Sequence, residues 1–263
     1  MRLGASGRTG AGVEPAIGIR FPSDSGHPRL LGLVSRHVSL GGRSASNDSP
    51  GPGARLTLME LGRVASGQRF GAAESRGAMP GKLIGSLSLD SGTAFEAVVY
   101  DLLFERTDAI VNAANGGLSH GGGVAAAIAD AAGPVLVDEG NQIIRKLGRV
   151  PVGSAVKTSA GKLPFKAVIH AVGPRLGDGD EGRKIISALH AAFALADADG
   201  CKSISFPAIS SGIFAVPFAV CARAYVDAVR TYFVSARGSS IAQVRLCVYD
   251  GPIVNEIARV LRS

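Results

Sequence analysis

The sequence predicts an α/β protein, and three observations carry that expectation. From residue 82 onward, segments of strand type alternate with segments of helix length. Two loops that follow apolar strands are rich in glycine and serine, which is where open α/β sheets bind their ligands. The composition also breaks near residue 80, setting the alternating region apart from a different kind of chain.

Strand-type segments run over 82–89, 95–99, 109–111, 154–157, 167–170, 203–206 and 244–249. Helix-length segments occupy 123–132, 135–147, 182–198, 217–234 and 252–262. Within 182–198, Ile185, Leu189, Phe193 and Ala196 recur at three or four residues and form one apolar stripe that can lie on a sheet. Pro217 suits the first turn of the next helix, where its missing N–H costs nothing.

The chain has 263 residues, 46% of them hydrophobic, enough to bury a core. At about 100 to 200 residues per domain it holds one domain plus an appendage, or two small ones. Glycine without a three-residue period excludes collagen, and three scattered cysteines, Cys201, Cys221 and Cys247, exclude a disulfide scaffold and read as buried thiols. No apolar run reaches the roughly 18 residues of a spanning helix, and no signal-peptide core opens the chain. The expectation is a soluble intracellular protein with no membrane partner.

The net charge of +7 sits mostly in the first third. Residues 1–80 hold ten Arg, no Lys and five acidic residues, with 15 of the 36 glycines and no sustained apolar period. We read 1–80 as a disordered Gly/Arg/Ser-rich extension and 81–263 as the folded domain. The extension admits three readings: a mitochondrial transit peptide, a flexible tail, or a dispensable upstream segment with Met59 or Met79 as the natural beginning. Nucleic-acid binding through its arginines is disfavoured, because no aromatics accompany them.

The most informative stretch is VNAANGGLSHGGGV, 111–124. Gly121, Gly122 and Gly123 carry no side chains to keep a ligand from their N–H groups, and the helix start behind them adds partial positive charge. This suits a diphosphate, although a merely flexible turn would share the glycines. FPAISSGIF, 206–214, offers a second cradle in Ser210, Ser211 and Gly212, with Phe214 as an aromatic wall. Neither a Walker pattern nor a dinucleotide fingerprint is present. A nucleophile elbow at Ser210 is disfavoured because no His follows it. His120 reads as a solvated loop residue, His170 and His190 as satisfied by packing, and no spacing suggests a metal or another cofactor.

DAIVNAANGGLSHGGGVAAAI (108–128), AGKLPFKAVIHAVGP (160–174), SISFPAISSGIF (203–214) and VRLCVYD (244–250) together resemble the macrodomain family in order and spacing. With AAGP (131–134), the chain looks most like macrodomains carried by poly(ADP-ribose) polymerases. The resemblance covers about 82–263. It implies a three-layer αβα fold with a mixed, mainly parallel sheet, and binding of ADP-ribose.

Carried over by residue, the resemblance puts Asp101, followed by Leu102, where an aspartate reads adenine. A carboxylate can accept from adenine's exocyclic amine and would leave guanine's carbonyl unpaired. Tyr249 matches an aromatic that stacks on the adenine. Gly121, Gly122, Gly123 and Val124 would hold one phosphate and the near side of the distal ribose, and Ser210, Ser211, Gly212 and Ile213 the other phosphate. Phe214 would pack on the distal ribose, and Asn115 would bond one of its hydroxyls and is the catalytic candidate. Asn112 reads as a structural residue at a strand end.

One departure bears on activity. Hydrolytic macrodomains typically follow GGGV with an Asp that orients water, whereas here the residue is Ala125, which can do neither acid–base nor water-positioning work. Two functions stay open: a reader of ADP-ribose and mono-ADP-ribosylated proteins, and a hydrolase of protein-linked or acetylated ADP-ribose. The expected location is cytoplasm or nucleus, with the mitochondrion as the alternative.

Overall fold

The computed structural model describes residues 81–236 and 238–263, together with two short strands at Ile19–Phe21 and Arg29–Leu30. All of these belong to one of the two compact units into which the chain divides, Met1–Val34 with Met79–Ser263. Apart from the two short strands, the expected disordered extension lies outside the described residues.

The elements in order are β1 (Ile19–Phe21), β2 (Arg29–Leu30), β3 (Lys82–Ser88), β4 (Ala94–Val99), β5 (Ala109–Ala114), α1 (Gly123–Ala132) and α2 (Pro134–Leu147). They continue with β6 (Ala155–Thr158), β7 (Ala167–Val172), α3 (Glu181–Ala198), β8 (Ser203–Pro207), α4 (Phe218–Ser235), β9 (Gln243–Val248) and α5 (Pro252–Leu261). A single 3-10 turn, Leu102–Phe104, follows β4. One sheet takes the order β2-β1-β6-β7-β5-β8-β9-β4-β3. Its centre is parallel, with β5 between β7 and β8 and β9 between β8 and β4, while β3, β6, β1 and β2 pair antiparallel at its flanks. The expected mixed, mainly parallel sheet is therefore observed in the core strands. The strands β1 and β2 were not expected from so arginine-rich a stretch. Their place in the sheet has a physical reason: β1 pairs with β6, whose outer row of N–H and C=O groups would otherwise form a bare edge.

Alternation along the strands sorts side chains onto two faces. Phe95 and Ala97 of β4, Val111 of β5, Ile169 of β7, Phe206 of β8 and Leu246 of β9 pack with α3, α4 and α5. Ile110, Val168, Val98 and Cys247 turn the other way, toward Ile128, Ala129 and Leu136 of α1 and α2. Leu118 and Ile143 close the same face over Ala114, Val156 and Val172. The result is the expected three-layer arrangement, and the stripe read in α3 is real: Ile185, Leu189 and Phe193 are fully buried. Phe193 lies at the centre of an aromatic cluster with Phe206, Tyr232 and Phe233 at 5.4–6.0 Å between centroids.

The face toward α1 also carries polar groups that alternation alone does not anticipate. Arg245, in mid-strand on β9, is buried, with its Nε 2.9 Å from Glu105 Oε2 and its Nη1 on Glu96. Ser205 Oγ donates to the same Glu105 oxygen at 3.0 Å, and Cys247 Sγ to Glu105 Oε1 at 3.2 Å. This cluster ties the segment after the 3-10 turn to β8 and β9. The thiols are free and buried, but Cys247 is a hydrogen-bonding member of an ionic cluster rather than a simple apolar filler.

Removing Glu105 takes from the buried guanidinium of Arg245 its fully buried carboxylate partner. Glu105→Ala is expected to lower unfolding free energy by about 3–5 kcal/mol, the usual cost of breaking a buried pair from one side. Urea denaturation of the purified variant checks this, and an unchanged midpoint contradicts it.

Candidate functional site

Parallel pairing brings the carboxyl ends of β5, β7 and β8 to one edge of the sheet, so the loops after them are neighbours. The first loop leaves β5 at Ala114 and reaches α1 at Gly123. Asn115 organises its start. The Asn115 Oδ1 accepts from the N–H groups of Gly117 (3.0 Å) and Ser119 (3.3 Å), and its Nδ2 donates to Ser119 O (2.9 Å) and Ser119 Oγ (2.8 Å). Both amide donors of this side chain are thus used inside the loop, so a ribose hydroxyl would have to replace Ser119.

Helix α1 starts without a side-chain cap and without an acidic residue in its first turn. Its first intrahelical bond is Ala126 N–H to Gly122 O at 3.4 Å, and the N–H groups of Gly123, Val124 and Ala125 meet no acceptor among the described residues. Gly123 holds φ at +61°, a conformation that costs glycine nothing. Gly122 is extended, and a Cβ built on it would lie 3.4 Å from Ile213 Cδ1. That contact shows the two expected cradles facing each other, with the exposed Ile213 reaching across.

The second loop is built by its backbone. Ser211 Oγ donates to Ala208 O at 2.8 Å, closing a turn, and Ser210 is buried with φ at +69°. The Ser210 hydroxyl turns inward onto Gly173, where a Cβ would overlap it and would lie 2.6 Å from Ile209 Cγ2. Neither serine hydroxyl is therefore aimed at a ligand, and the free donors are the N–H groups of Gly212, Ile213 and Phe214, which meet no acceptor among the described residues. Tyr225 of α4 fixes this loop by donating its hydroxyl to Ile209 O at 2.5 Å, and burial pushes that phenol well above its ordinary pKa, keeping the donor protonated. Gly173 and Tyr225 are positioning residues that sequence reasoning missed. The only signal for Gly173 was its place after an apolar strand.

At the far end of the same edge, Asp101 caps the 3-10 turn by accepting Leu103 N–H on Oδ1 at 2.9 Å, and its Oδ2 meets no donor among the described residues. Leu102 is a core residue, 4% exposed, so only its backbone can face a ligand. Tyr249 leaves β9 with its ring 67% exposed. Partial desolvation raises the Tyr249 pKa, and the negative charge of Asp101 raises it further, which puts the two side chains in one electrostatic neighbourhood. Val124 packs against the α1-side core, and Ala125 is buried in the first turn of α1.

Behind the first loop lies a buried relay. Thr158 Oγ1 donates to Ser159 O, so it accepts from His170 Nε2 at 3.0 Å, and His170 Nδ1 then accepts from Asn112 Nδ2 at 3.0 Å. Burial first, then the proximity of His120, pushes the pKa of His170 down to about 3. The reading of Asn112 and His170 as structural is thus given partners. His120 is not simply solvated: its ring meets His170 edge-on at 6.0 Å, its Nε2 is buried without a partner, and burial lowers its pKa. His190 is held by Ala228 O and Thr231 Oγ1, each at 3.0 Å.

Fold and site together define an α/β protein with two loops rich in free backbone N–H groups opposed at the carboxyl edge of its sheet. Residues 111–225 match the model of the Macro domain family. A macro domain-containing protein of Listeria monocytogenes is 41% identical over 152 residues, 57% of this chain and 86% of that protein. An O-acetyl-ADP-ribose deacetylase of Citrobacter rodentium is 41% identical over 163 residues, 61% of this chain and 91% of that protein. The structure of the Oceanobacillus iheyensis macrodomain with ADP superposes with a TM-score of 0.64 at 27% identity, covering 71% of this chain and 97% of that one. The chain belongs to the Macro domain family.

A pH dependence follows from His170. Its folded pKa lies below the unfolded value of about 6.5, so below that pH the unfolded chain binds more protons. Its contribution is therefore fully present above pH ~6.5 and is lost progressively as pH falls toward about 3. Urea unfolding across this window is expected to show a shallower acid loss for His170→Gln than for the wild type; equal slopes contradict the assignment.

Proposed function

We propose that the protein binds ADP-ribose, free or as a single unit attached to a protein, and acts as a reader of that mark. The observation that carries this is the opposition of two sets of unpaired backbone N–H groups, at the start of α1 and at Gly212, Ile213 and Phe214, across the gap that Ile213 spans. A pyrophosphate offers one charged group to each of the two rows, and uncapped helix starts favour it. Asp101 Oδ2, which meets no donor among the described residues, suits adenine's exocyclic amine beside the Tyr249 ring. The distal ribose then falls toward Phe214 and Asn115. The Oceanobacillus neighbour with ADP and the Citrobacter relative named for an ADP-ribose ester support this choice of ligand. Kinship with polymerase-borne macrodomains in particular is a narrower proposal, supported by AAGP and AGKLPFKAVIHAVGP, and binding does not depend on it.

Hydrolysis of protein-linked or acetylated ADP-ribose is the second reading, favoured by the name of the Citrobacter relative. Against it stands Ala125, buried and unable to hold a water, together with an Asn115 already saturated by Ser119. Asn115 could act only after giving up that partner.

Calorimetry with ADP-ribose tests the binding reading. Gly122→Glu adds a bulky anion beside Ile213, in the space the phosphates need, at an extended position that any residue can adopt. Binding is expected to vanish with an unchanged thermal melt, and retained affinity contradicts the cradle. Incubation of a mono-ADP-ribosylated protein with the full chain separates the two functions. A reader binds it and releases nothing. Release that Asn115→Ala lowers more than it lowers affinity establishes the hydrolase instead.

A further inference from the structure

Two arginines stand beyond the end of the ADP-ribose channel where the distal ribose lies. The sheet order puts the adenine end at β9 and β4 and the phosphate cradles at β5 and β8, so the loops after β7 and before β6 flank the opposite end. Arg149 leads into β6. Its guanidinium nitrogens come within 3.3–3.8 Å of where Cβ atoms of Gly116 and Gly117 would stand, and Asn115 Oδ1 lies 3.4 Å from the same Gly117 position. Arg149 is thus laid over a bare glycine backbone beside Asn115. Arg175 follows β7 and stacks its guanidinium on the Phe214 ring at 4.7 Å. Its backbone is pinned by Asp178 Oδ2, and Leu176 N–H bonds Phe214 O at 2.9 Å.

Neither guanidinium has a carboxylate partner among the described residues. The acids of the adjacent loop bond backbone N–H groups or Arg183 rather than either guanidinium. Asp178 accepts the N–H of Arg175, Glu181 accepts those of Gly177 and Gly179, and Asp180 pairs with Arg183. Two guanidiniums free of salt bridges among the described residues, one on each side of the channel mouth, favour anions over cations there.

Building on the ADP-ribose reading, we propose that Arg149 and Arg175 are specificity residues for the carrier rather than for ADP-ribose itself, recognising an acidic stretch of protein around the modified side chain. A basic carrier would meet like charge at the same point. Free ADP-ribose ends at the distal ribose and is indifferent to both arginines.

The test uses peptides that carry one ADP-ribose through a hydrolysis-resistant linkage and differ only in flanking residues, Glu, Gln or Lys. The Glu peptide is expected to bind the wild-type chain about 2- to 30-fold more tightly than the Gln peptide at low salt, the range for two exposed charge pairs, with the margin shrinking as salt rises. The Lys peptide should be weakest. Arg149→Gln with Arg175→Gln should erase the ranking while free ADP-ribose affinity and the thermal melt stay at wild-type values, and Arg149→Glu should shift preference toward the Lys peptide. Equal binding of the Glu and Gln peptides by the wild type, or a ranking that survives the double variant, overturns the proposal. So does a poly(ADP-ribose) end that outcompetes the Glu peptide by a margin the double variant removes, since the arginines would then read the next pyrophosphate. A wild type that binds no free ADP-ribose would overturn the underlying reading as well, whereas normal ADP-ribose binding without carrier preference overturns this inference alone.

Discussion

The carboxyl edge of this sheet depends on the close approach of the backbone after β7, at Gly173, to the Ile209 and Ser210 side chains after β8. Parallel pairing of β5 with both strands sets three loops side by side, and Gly173 lets two of them touch at a point where any side chain would overlap Ser210. From that contact follow the inward Ser210 hydroxyl, the left-handed backbone at residue 210 and the outward row of N–H groups at Gly212, Ile213 and Phe214. Tyr225 holds the turn from below through Ile209 O. The cradle is therefore a backbone device, and its chemistry is set by what the side chains stay out of.

The opposite face of the sheet supports it with buried polar groups that are almost fully matched. Arg245 with Glu105 and Glu96 joins the 3-10 turn region to β8 and β9. Asn112, His170 and Thr158 join β5, β7 and β6 just behind the glycine loop. A buried ion pair adds little net stability over an apolar packing of the same volume, but it punishes the loss of one member and so fixes relative strand positions. Both clusters lie where strand positions determine loop positions. Asp101 at one end and Asn115 at the other are thereby held at opposite ends of one edge.

Much of this was legible in the sequence. Every strand and helix read after residue 82 is observed, because periodicity in an alternating α/β chain reflects burial on a sheet. The glycine and serine loops were legible for the same reason, as breaks after apolar strands. What escaped is tertiary. Arg245 in a strand reads as an outward residue, since no local pattern reveals Glu105 waiting 140 positions away. Asn115 reads as a free amide, yet the turn to Ser119 consumes it, and Leu102 reads as a ligand contact while its side chain fills the core. The serines were expected to offer hydroxyls, but the turn they form points those groups at protein. The short strands β1 and β2 lie in a stretch whose composition carries no strand signal, and only the bare edge of β6 accounts for them.

The central claim is that two separate rows of backbone N–H groups grip one pyrophosphate. Amide NMR of the full chain during titration with ADP, which has the pyrophosphate without the distal ribose, tests it most directly. The amides of Gly123, Val124, Ala125, Gly212, Ile213 and Phe214 are expected to shift together and to saturate at one ADP per chain. Shifts confined to one loop, or to the Asp101 and Tyr249 end alone, would contradict it.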